Sequence, residues 1–357
     1  MPSSISSFER PIPGQPWRGI LLTVGLIVLA ATVAWEIRCR AWGYAPTLND
    51  TSDLWADHRA QVKPDSIVVI GDSRALFDTD LDVLEQGLGQ RPVQLALVGS
   101  CAYVVLENLA NDESFHGTVI SSLIPLMWLA PPPSPPYQNS LRAIKRYHTR
   151  TVAQRASHHV AMLLEEHLAF LKQEDLTLER LLQRVPLPAR ANFHPPPIMP
   201  PYFQTTARDR RTRMTEDAAV PGPLRDRVRS VWLPLFTPPP PPAFVPPEVF
   251  GKSMGQAIEK RFGDTAAAVK KIQARGGKVV FVRFPVVGPL KALEDKATPR
   301  AGPWTRLLKE SGAPGIYFED YPELAGFDCP EWSHLSGPDS VEFTKRIVPH
   351  LKQALAQ

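Results

Sequence analysis

A serine and a histidine in this chain have the residue types and surroundings that nucleophilic catalysis needs. Ser73 lies in "VVIGDSRALF", directly after the apolar run Ile67–Ile70, and His334 lies in "FDCPEWSHLSGPD" near the other end of the chain. A serine becomes a nucleophile when a neighbouring base takes its proton. We therefore predict that Ser73 and His334 share one catalytic site.

Two carboxylates near His334 could orient it. Glu331 lies three residues before His334, and Asp328 lies six residues before it. A carboxylate three residues before a histidine on a tight loop can reach the far ring nitrogen and fix its tautomer. Glu331 is the predicted acid, and Asp328 is the alternative.

Strands that alternate with helices must position these residues. Four apolar stretches predict strands: Ser66–Ile70, "RPVQLALVG", "TVISSLIPLMWLA" up to residue 130, and "KVVFVRFP". Near-continuous apolar strands between helices indicate a parallel sheet covered on both faces. Ligands of such sheets lie beyond the carboxyl ends of the strands. We therefore predict a three-layer α/β/α domain with Ser73 at the carboxyl edge of its sheet.

The amino-terminal region contains one uncharged apolar segment. Residues Gly19 to Trp35 would span about 26 Å as a helix, near the lower limit for crossing a bilayer. A cleaved signal peptide is the alternative, but the segment continues without a good small-residue cleavage motif. Two arginines lie on each side, so charge does not decide its orientation. We predict an uncleaved transmembrane anchor.

Residues 134–250 interrupt the alternation with basic helices, near Arg142–Leu171 and Leu176–Arg184, and with proline-rich segments that include Pro238–Pro242. The net charge of the chain is only +4, which does not indicate a nucleic-acid partner. Residues 141–230, however, carry 16 Lys/Arg and 9 Asp/Glu, hence +7, and the rest of the chain carries −3. A solvated helical surface would explain this excess, as would a surface for anionic lipid or acidic glycan.

These patterns divide the chain into five parts. They are an N-terminal tail (1–18), the transmembrane anchor (19–35), the first part of the α/β domain (48–133), the helical, basic, proline-rich insertion (134–250) and the second part of the α/β domain (251–357).

The GDSR sequence after the first strand and the acid-x-x-His-Leu sequence before the last helix resemble the SGNH/GDSL hydrolase superfamily. The chain is similar in particular to its membrane-anchored bacterial branch, whose relatives include esterases and polysaccharide O-acetylation proteins. The resemblance covers about residues 50–130 and 255–355. It implies the flavodoxin-like SGNH fold, with Ser73 as the nucleophile and His334 as the base. Glu331 takes the position where the superfamily usually has aspartate.

The resemblance also implies an oxyanion hole. The backbone N–H of Ser73 and that of Gly99, at the end of the second strand, match its donors, and Ser100 is adjacent. The superfamily's third block normally adds an asparagine, which the stretch "LMWLAPPPS" lacks. One missing donor costs about 3 kcal/mol of transition-state stabilisation. Arg74 and Arg283 are candidates to replace it, and Arg74, Arg283 and Ser100 are all candidates to support the substrate or the oxyanion.

The implied function is that of a serine esterase or O-acyltransferase acting on an ester of an envelope glycan or lipid. The protein would be a single-pass protein of the inner (cytoplasmic) membrane, with its catalytic domain on the periplasmic side. The chemistry needs no cofactor and no metal, and we expect no nucleic-acid partner. The insertion is a candidate surface for an envelope protein. The alternative class is a non-catalytic SGNH-like scaffold or polysaccharide-binding protein in envelope or exopolysaccharide assembly, which the missing asparagine favours.

Two of the three cysteines flank predicted site residues. Cys101 follows the Gly99–Ser100 pair, and Cys329 lies two residues before Glu331. In an oxidising compartment they could form a disulfide, provided that their Cα atoms are within about 7 Å.

Overall fold

The computed structural model describes residues 14–185, 198–237 and 246–356, so the predicted proline run Pro238–Pro242 lies outside the described residues. Five parallel strands form the central sheet, in the order β2-β1-β3-β6-β7. A separate antiparallel hairpin, β4–β5, belongs to the insertion. The strands are β1 (Ile67–Ile70), β2 (Val93–Gln94), β3 (Thr118–Ser122), β4 (Gln204–Thr206), β5 (Thr212–Met214), β6 (Lys278–Arg283) and β7 (Gly315–Tyr317).

Helices account for most of the remaining described residues. The α-helices are α1 (Trp17–Ala41), α2 (Ser52–Gln61), α3 (Ser73–Asp78), α4 (Leu81–Leu88), α5 (Ala102–Ala110), α6 (Pro125–Trp128), α7 (Pro135–Thr149), α8 (Val152–Glu165), α9 (Gln173–Leu176), α10 (Leu178–Gln183), α11 (Glu216–Ala219), α12 (Pro223–Phe236), α13 (Pro247–Ala274), α14 (Gly288–Ala297), α15 (Pro303–Ser311), α16 (Pro322–Ala325) and α17 (Gly337–Ala356). Short 3-10 helices span Ala169–Leu171 and Phe318–Asp320.

The central strands are buried, as their continuous apolar sequences predicted. All four residues of β1 are buried, and β1 pairs in parallel with β2 on one side and with β3 on the other. The α/β class with a parallel sheet and flanking helices is therefore confirmed. From β1 the chain adds β2 on one side and then β3, β6 and β7 on the other. The carboxyl ends of β1 and β3 therefore form the switch point of the sheet, where such folds bind ligands.

Strand β3 is shorter than predicted. It ends at Ser122, and α6 follows over Pro125–Trp128 instead of a strand running to residue 130. Pro125 has no N–H for a sheet ladder, and its fixed φ suits the first turn of a helix. Trp128 is buried and donates a hydrogen bond from Nε1 to Thr265 Oγ1 at 3.1 Å, so it belongs to the core.

The insertion is bound to the sheet domain by ion pairs, which explains the uneven charge of the sequence. Five arginines of the insertion pair with five aspartates of the sheet domain: Arg146–Asp53, Arg150–Asp57, Arg210–Asp50, Arg211–Asp82 and Arg213–Asp80. Arg210 is fully buried and also donates to the carbonyl oxygens of Gln94 and Ala96, at 2.8 and 2.9 Å. Much of the basic excess therefore faces the acidic domain and not the solvent.

Helix α1 is the one helix among the described residues that is long and apolar enough to cross a membrane. It has 25 residues, or about 37 Å, and it extends past the predicted segment at both ends. Such a single N-terminal apolar helix is typical of a membrane anchor or a signal sequence. Its carboxyl end is attached to the insertion, because Glu36 accepts hydrogen bonds from the N–H groups of Ala169 and Phe170, each at 3.1 Å.

Candidate active site

Ser73 is the first residue of α3, which begins immediately after β1. Gly71 makes this tight turn possible, because a Cβ at this position would lie 2.6 Å from the Cβ atoms of Ala75 and Ser122. Asp72 caps the helix by accepting the N–H of Arg74 at 2.9 Å. The turn places Ser73, which is half-buried, at the carboxyl end of β1 and thus at the switch point of the sheet.

Asp72 also ties the Ser73 turn to the neighbouring strand. Its Oδ2 accepts a hydrogen bond at 3.0 Å from the hydroxyl of Ser122, which is the last residue of β3. The carboxyl group is buried, and this burial raises its pKa against the opposing effect of Arg74. Asp72 therefore links the start of α3 to the end of β3 across the switch point.

Glu331 and His334 form the predicted acid–base contact. Glu331 Oε1 lies 2.8 Å from His334 Nδ1 and also accepts the backbone N–H of His334 at 2.6 Å. Both side chains are almost completely buried. With the Nδ1 proton directed at the carboxylate, Nε2 is the nitrogen left to act as a base. The alternative acid, Asp328, is exposed, and Glu331 occupies the contact to the ring.

The structure brings His334 to the helix that begins with Ser73. Phe77 lies four residues after Ser73, on the same face of α3, and its ring stacks on the imidazole with 4.5 Å between centroids. Arg74 Nε donates to Ser333 Oγ at 3.4 Å, which links α3 to the His334 loop a second time. Ser73 and His334 therefore lie at the same edge of the sheet.

No hydrogen bond joins Ser73 to His334, however. The Nε2 atom of His334 is buried and has no partner among the described residues. Its ring orientation is set by Glu331 and by the Phe77 stack, not by the serine. Contacts between nucleophile and base are often long in sites without substrate.

The insertion covers the imidazole with two aromatic side chains. Trp232 on α12 and Phe203, just before β4, lie with their ring centroids 5.6 and 6.1 Å from that of His334. The indole Nε1 of Trp232 donates to Glu331 Oε2. Arg229, one turn earlier on α12, donates to the carbonyl oxygen of Pro330 at 2.9 Å. As a result, His334 is only 1% exposed.

These insertion residues were missed by the sequence analysis, because the segment that forms α12 was interpreted as proline-rich connection. No local pattern marks Trp232 or Phe203 as neighbours of a histidine that lies more than 100 residues further along the chain.

The two predicted oxyanion donors make no hydrogen bonds of their own among the described residues. The N–H groups of Ser73 and Gly99 have no acceptor within the described part of the chain. Gly99 has a φ of +57° in the turn after β2, a conformation that favours glycine. Its carbonyl oxygen accepts Asn139 Nδ2 at 2.9 Å, and Ser100 Oγ donates to the carbonyl oxygen of Gly71 at 3.1 Å. The Ser100 hydroxyl thus holds the two loops together and does not point to a substrate.

Arg74 and Arg283 are used inside the protein and not for substrate support. Arg74 is fully buried; its Nη1 and Nη2 donate to the two oxygens of Glu294 at 3.0 and 2.5 Å, and its Nε donates to Ser333. Arg283 donates from Nη2 to the same carboxylate. Burial alone would raise the pKa of Glu294, but the two guanidinium groups lower it to about 2. An ion-pair network inside the protein thus holds the guanidinium of Arg74.

The side chain of Arg283 also points into the protein, although its Nη1 has no hydrogen-bond partner among the described residues. The side chain is only 4% exposed, so this nitrogen does not reach the surface. Arg283 therefore supports the end of β6 from within.

Asp78 is an ionisable neighbour of the site that the sequence analysis did not identify. It ends α3 and accepts the N–H of Leu335 on Oδ1 at 2.8 Å. Its Oδ2 is buried without a partner among the described residues. This burial raises the pKa of Asp78 to about 7, although the nearby His334 opposes the shift. The available signal was an acid at the end of the otherwise apolar sequence "ALFD".

The remaining candidate groups form neither a disulfide nor a metal site. All three cysteines are free and buried, so Cys101 and Cys329 are not bridged. Burial raises the pKa of both thiols. Within residues 14–185, 198–237 and 246–356, no group of three or more His, Cys, Asp and Glu side chains is arranged to hold a metal ion.

Comparison of the chain with protein-family models, with curated proteins and with solved structures finds no match. The interpretation of the site therefore depends on its own geometry.

Proposed function

We propose that this protein is a membrane-anchored serine esterase or O-acyltransferase of the SGNH type. It acts on an ester of an envelope glycan or lipid through Ser73, His334 and Glu331. The observation that carries the proposal is the buried Glu331–His334 pair, which contacts the helix that Ser73 begins at the switch point of a parallel sheet. The strand order is also that of flavodoxin-like folds, which agrees with an SGNH architecture.

The proposed reaction proceeds through an acyl-enzyme. Ser73 Oγ attacks the ester carbonyl carbon while His334 Nε2 takes the serine proton. Glu331 stabilises the resulting imidazolium through Nδ1, and the N–H groups of Ser73 and Gly99 bind the oxyanion. The ester C–O bond then breaks, and the leaving alcohol receives the proton from His334. In the second half, water or a sugar hydroxyl attacks the acyl carbon while His334 takes its proton; the bond from Ser73 Oγ to the acyl group then breaks, His334 returns the proton to Ser73, and the acid or the new ester is released.

The proposed location is the periplasmic side of the inner membrane, with α1 as an uncleaved anchor. Helix α1 runs without a break from Trp17 through the residues 36–40 that contact the insertion, which supports an uncleaved anchor. Alkaline phosphatase fused after residue 60 should be active in cells. An inactive phosphatase fusion together with a fluorescent cytoplasmic reporter at the same site would reverse the orientation.

A non-catalytic scaffold or polysaccharide-binding protein is the second candidate. Two observations favour it: residues 123–134, after β3, contain no asparagine, and α12 covers His334. A scaffold would need no accessible nucleophile.

Labelling with a serine-directed fluorophosphonate separates the two candidates. The full chain in its membrane should be labelled once, with the adduct at Ser73 in peptide mass spectra. Ser73→Ala should abolish labelling, and the surface variant Ser114→Ala should retain it. A wild-type protein that is folded and yet unlabelled would support the scaffold instead.

A further inference from the structure

The carboxyl end of α1 is fixed to one part of the insertion. Besides the two hydrogen bonds to Glu36, Arg40 donates from Nη2 to the carbonyl oxygen of His167 at 3.0 Å. Cys39 is completely buried and packs with Tyr44 and Ala169. The 3-10 helix Ala169–Leu171 is therefore attached to the carboxyl end of α1.

Aromatic and basic residues at this end of α1 indicate where the membrane surface lies. Trp35 and Trp42 pack edge to face with 5.5 Å between ring centroids. The guanidinium of Arg38 lies 4.8 Å from the Trp42 ring centroid. Tryptophan and arginine are enriched at the boundary between lipid and water. If α1 spans the bilayer, the 3-10 helix attached to it lies at that boundary.

Two helices near this 3-10 helix in the chain carry exposed apolar stripes: α8 precedes it, and α10 follows it after the short helix α9. On α8, Val160, Leu163 and Leu164 follow helical spacing, and Leu163 is 57% exposed. On α10, Leu178 and Leu182 are one turn apart and are 72% and 58% exposed. Apolar stripes of this kind on the outside of a protein mark a surface that contacts lipid or another protein.

We propose that α8 and α10 lie on the bilayer surface beside α1, with these two apolar stripes in the lipid interface. Both helices lie within a few residues of the 3-10 helix in the chain, and this closeness to the membrane boundary favours lipid as the occupant. Amphipathic helices bind interfaces in this way, with the apolar face among the acyl chains. This inference depends on the anchoring of α1, but not on the proposed chemistry of Ser73.

The contact is apolar rather than electrostatic. Arg146 and Arg150, which precede α8, are paired with Asp53 and Asp57, and Arg184, after α10, is paired with Asp175. These flanking charges are therefore already matched within the protein, and Arg155 on α8 and Arg180 on α10 are the two arginines of these helices that pair with no carboxylate among the described residues. The expected contact is with neutral lipid as well as anionic lipid, and it persists at high salt.

Fluorescent labels on single cysteines test this arrangement. The native cysteines are buried, so a cysteine introduced at the surface reacts selectively. Leu163→Cys and Leu182→Cys would carry an environment-sensitive NBD label in the full chain, reconstituted into phosphatidylcholine vesicles. Val24→Cys, inside α1, reports whether the anchor is inserted. Lys345→Cys, on the exposed surface of α17, is the water-facing control.

We expect blue-shifted emission at residues 163 and 182 that doxyl-labelled lipids quench, in low and high salt alike. Quenching at residue 24 but not at 163 and 182 would overturn the inference and leave the anchor intact. A blue shift without lipid quenching would indicate a protein occupant, and quenching lost at high salt would indicate attachment by charge; either result overturns it. Fluorophosphonate labelling of Ser73 in the same samples reports the proposed function separately.

Discussion

The indole of Trp232 donates a hydrogen bond to Glu331 Oε2, so that a side chain of the insertion holds the proposed catalytic acid. The other carboxylate oxygen, Oε1, accepts hydrogen bonds from the backbone N–H and from the Nδ1–H of His334. Three donors thus stabilise the charge of Glu331 and fix its orientation. The insertion is therefore a part of the site and more than a cover over it.

Replacing Trp232 with phenylalanine should lower kcat for an acetyl ester by about 10- to 100-fold, with little change in KM. The variant keeps an aromatic ring but loses a hydrogen bond to a charged group, which is worth about 1.5–3 kcal/mol. Trp55→Phe is the matched control, because the buried Trp55 indole donates to the Leu95 carbonyl oxygen at 2.9 Å on another part of the domain. Steady-state kinetics of both variants measure kcat and KM for the acetyl ester. An equal loss of kcat in the control would assign the effect to general destabilisation.

Removing the proposed base should cost more turnover than neutralising the acid. His334→Ala removes the group that takes the proton, whereas Glu331→Gln removes only the group that orients and stabilises the base. We expect both variants to be impaired and His334→Ala to be the slower one. The rate of ester hydrolysis by each variant measures this order, and circular dichroism verifies that each variant is folded. A Glu331→Gln variant as slow as His334→Ala would argue against these roles.

Glu294→Gln should destabilise the folded protein by about 3–5 kcal/mol, because it leaves Arg74 and Arg283 buried without their counter-charge. The control Glu310→Gln breaks an exposed pair with Arg306 and should cost no more than about 1 kcal/mol.

The Glu294 effect should also depend on pH. The folded pKa of about 2 is lower than the ordinary value of 4.5. The stabilisation is therefore fully present above pH 4.5 and is lost as the pH falls towards 2. Thermal unfolding of the full chain at several pH values measures this. Equal melting temperatures for Glu294→Gln and the wild type at neutral pH would contradict the prediction.

Asp78→Asn should stabilise the protein at alkaline pH and much less in acid. Burial raises the folded pKa of Asp78 to about 7 from an ordinary value of 3.8, so the folded state retains a proton that the unfolded state has lost. Wild-type stability therefore falls as the pH rises from 3.8 through 7, by an amount on the order of a few kcal/mol. Asparagine keeps an oxygen for the Leu335 N–H and does not titrate. Melting curves from pH 5 to pH 8 should diverge in favour of the variant, and parallel curves would disprove the assignment. Asp328→Asn, an exposed change on the same loop, is the control.

Local signals accounted for the parts of the fold that were predicted well. Helix α4 spans Leu81–Leu88, with Asp80 accepting two N–H groups at its start. Thr51 caps α2 by accepting the N–H of Leu54. The end of β3 was misplaced although Pro125 marked it, because the apolar residues on both sides of the proline resembled one continuous strand.

The sequence by itself determined the α/β class, the buried strands β1 and β6, the apolar helix at the amino end and the contact between Glu331 and His334. Each of these depends on residues that are neighbours in the chain, so composition and spacing encode them directly. Only the tertiary structure decided that Trp232 holds Glu331, that Glu294 binds Arg74 and Arg283, and that the arginines of the insertion face the aspartates of the sheet domain. Most of these partners lie about 100 or more residues apart, and many oppositely charged or polar residues could have paired equally well. The selection among them was made by the strand order and by the way the insertion packs over the carboxyl edge of the sheet.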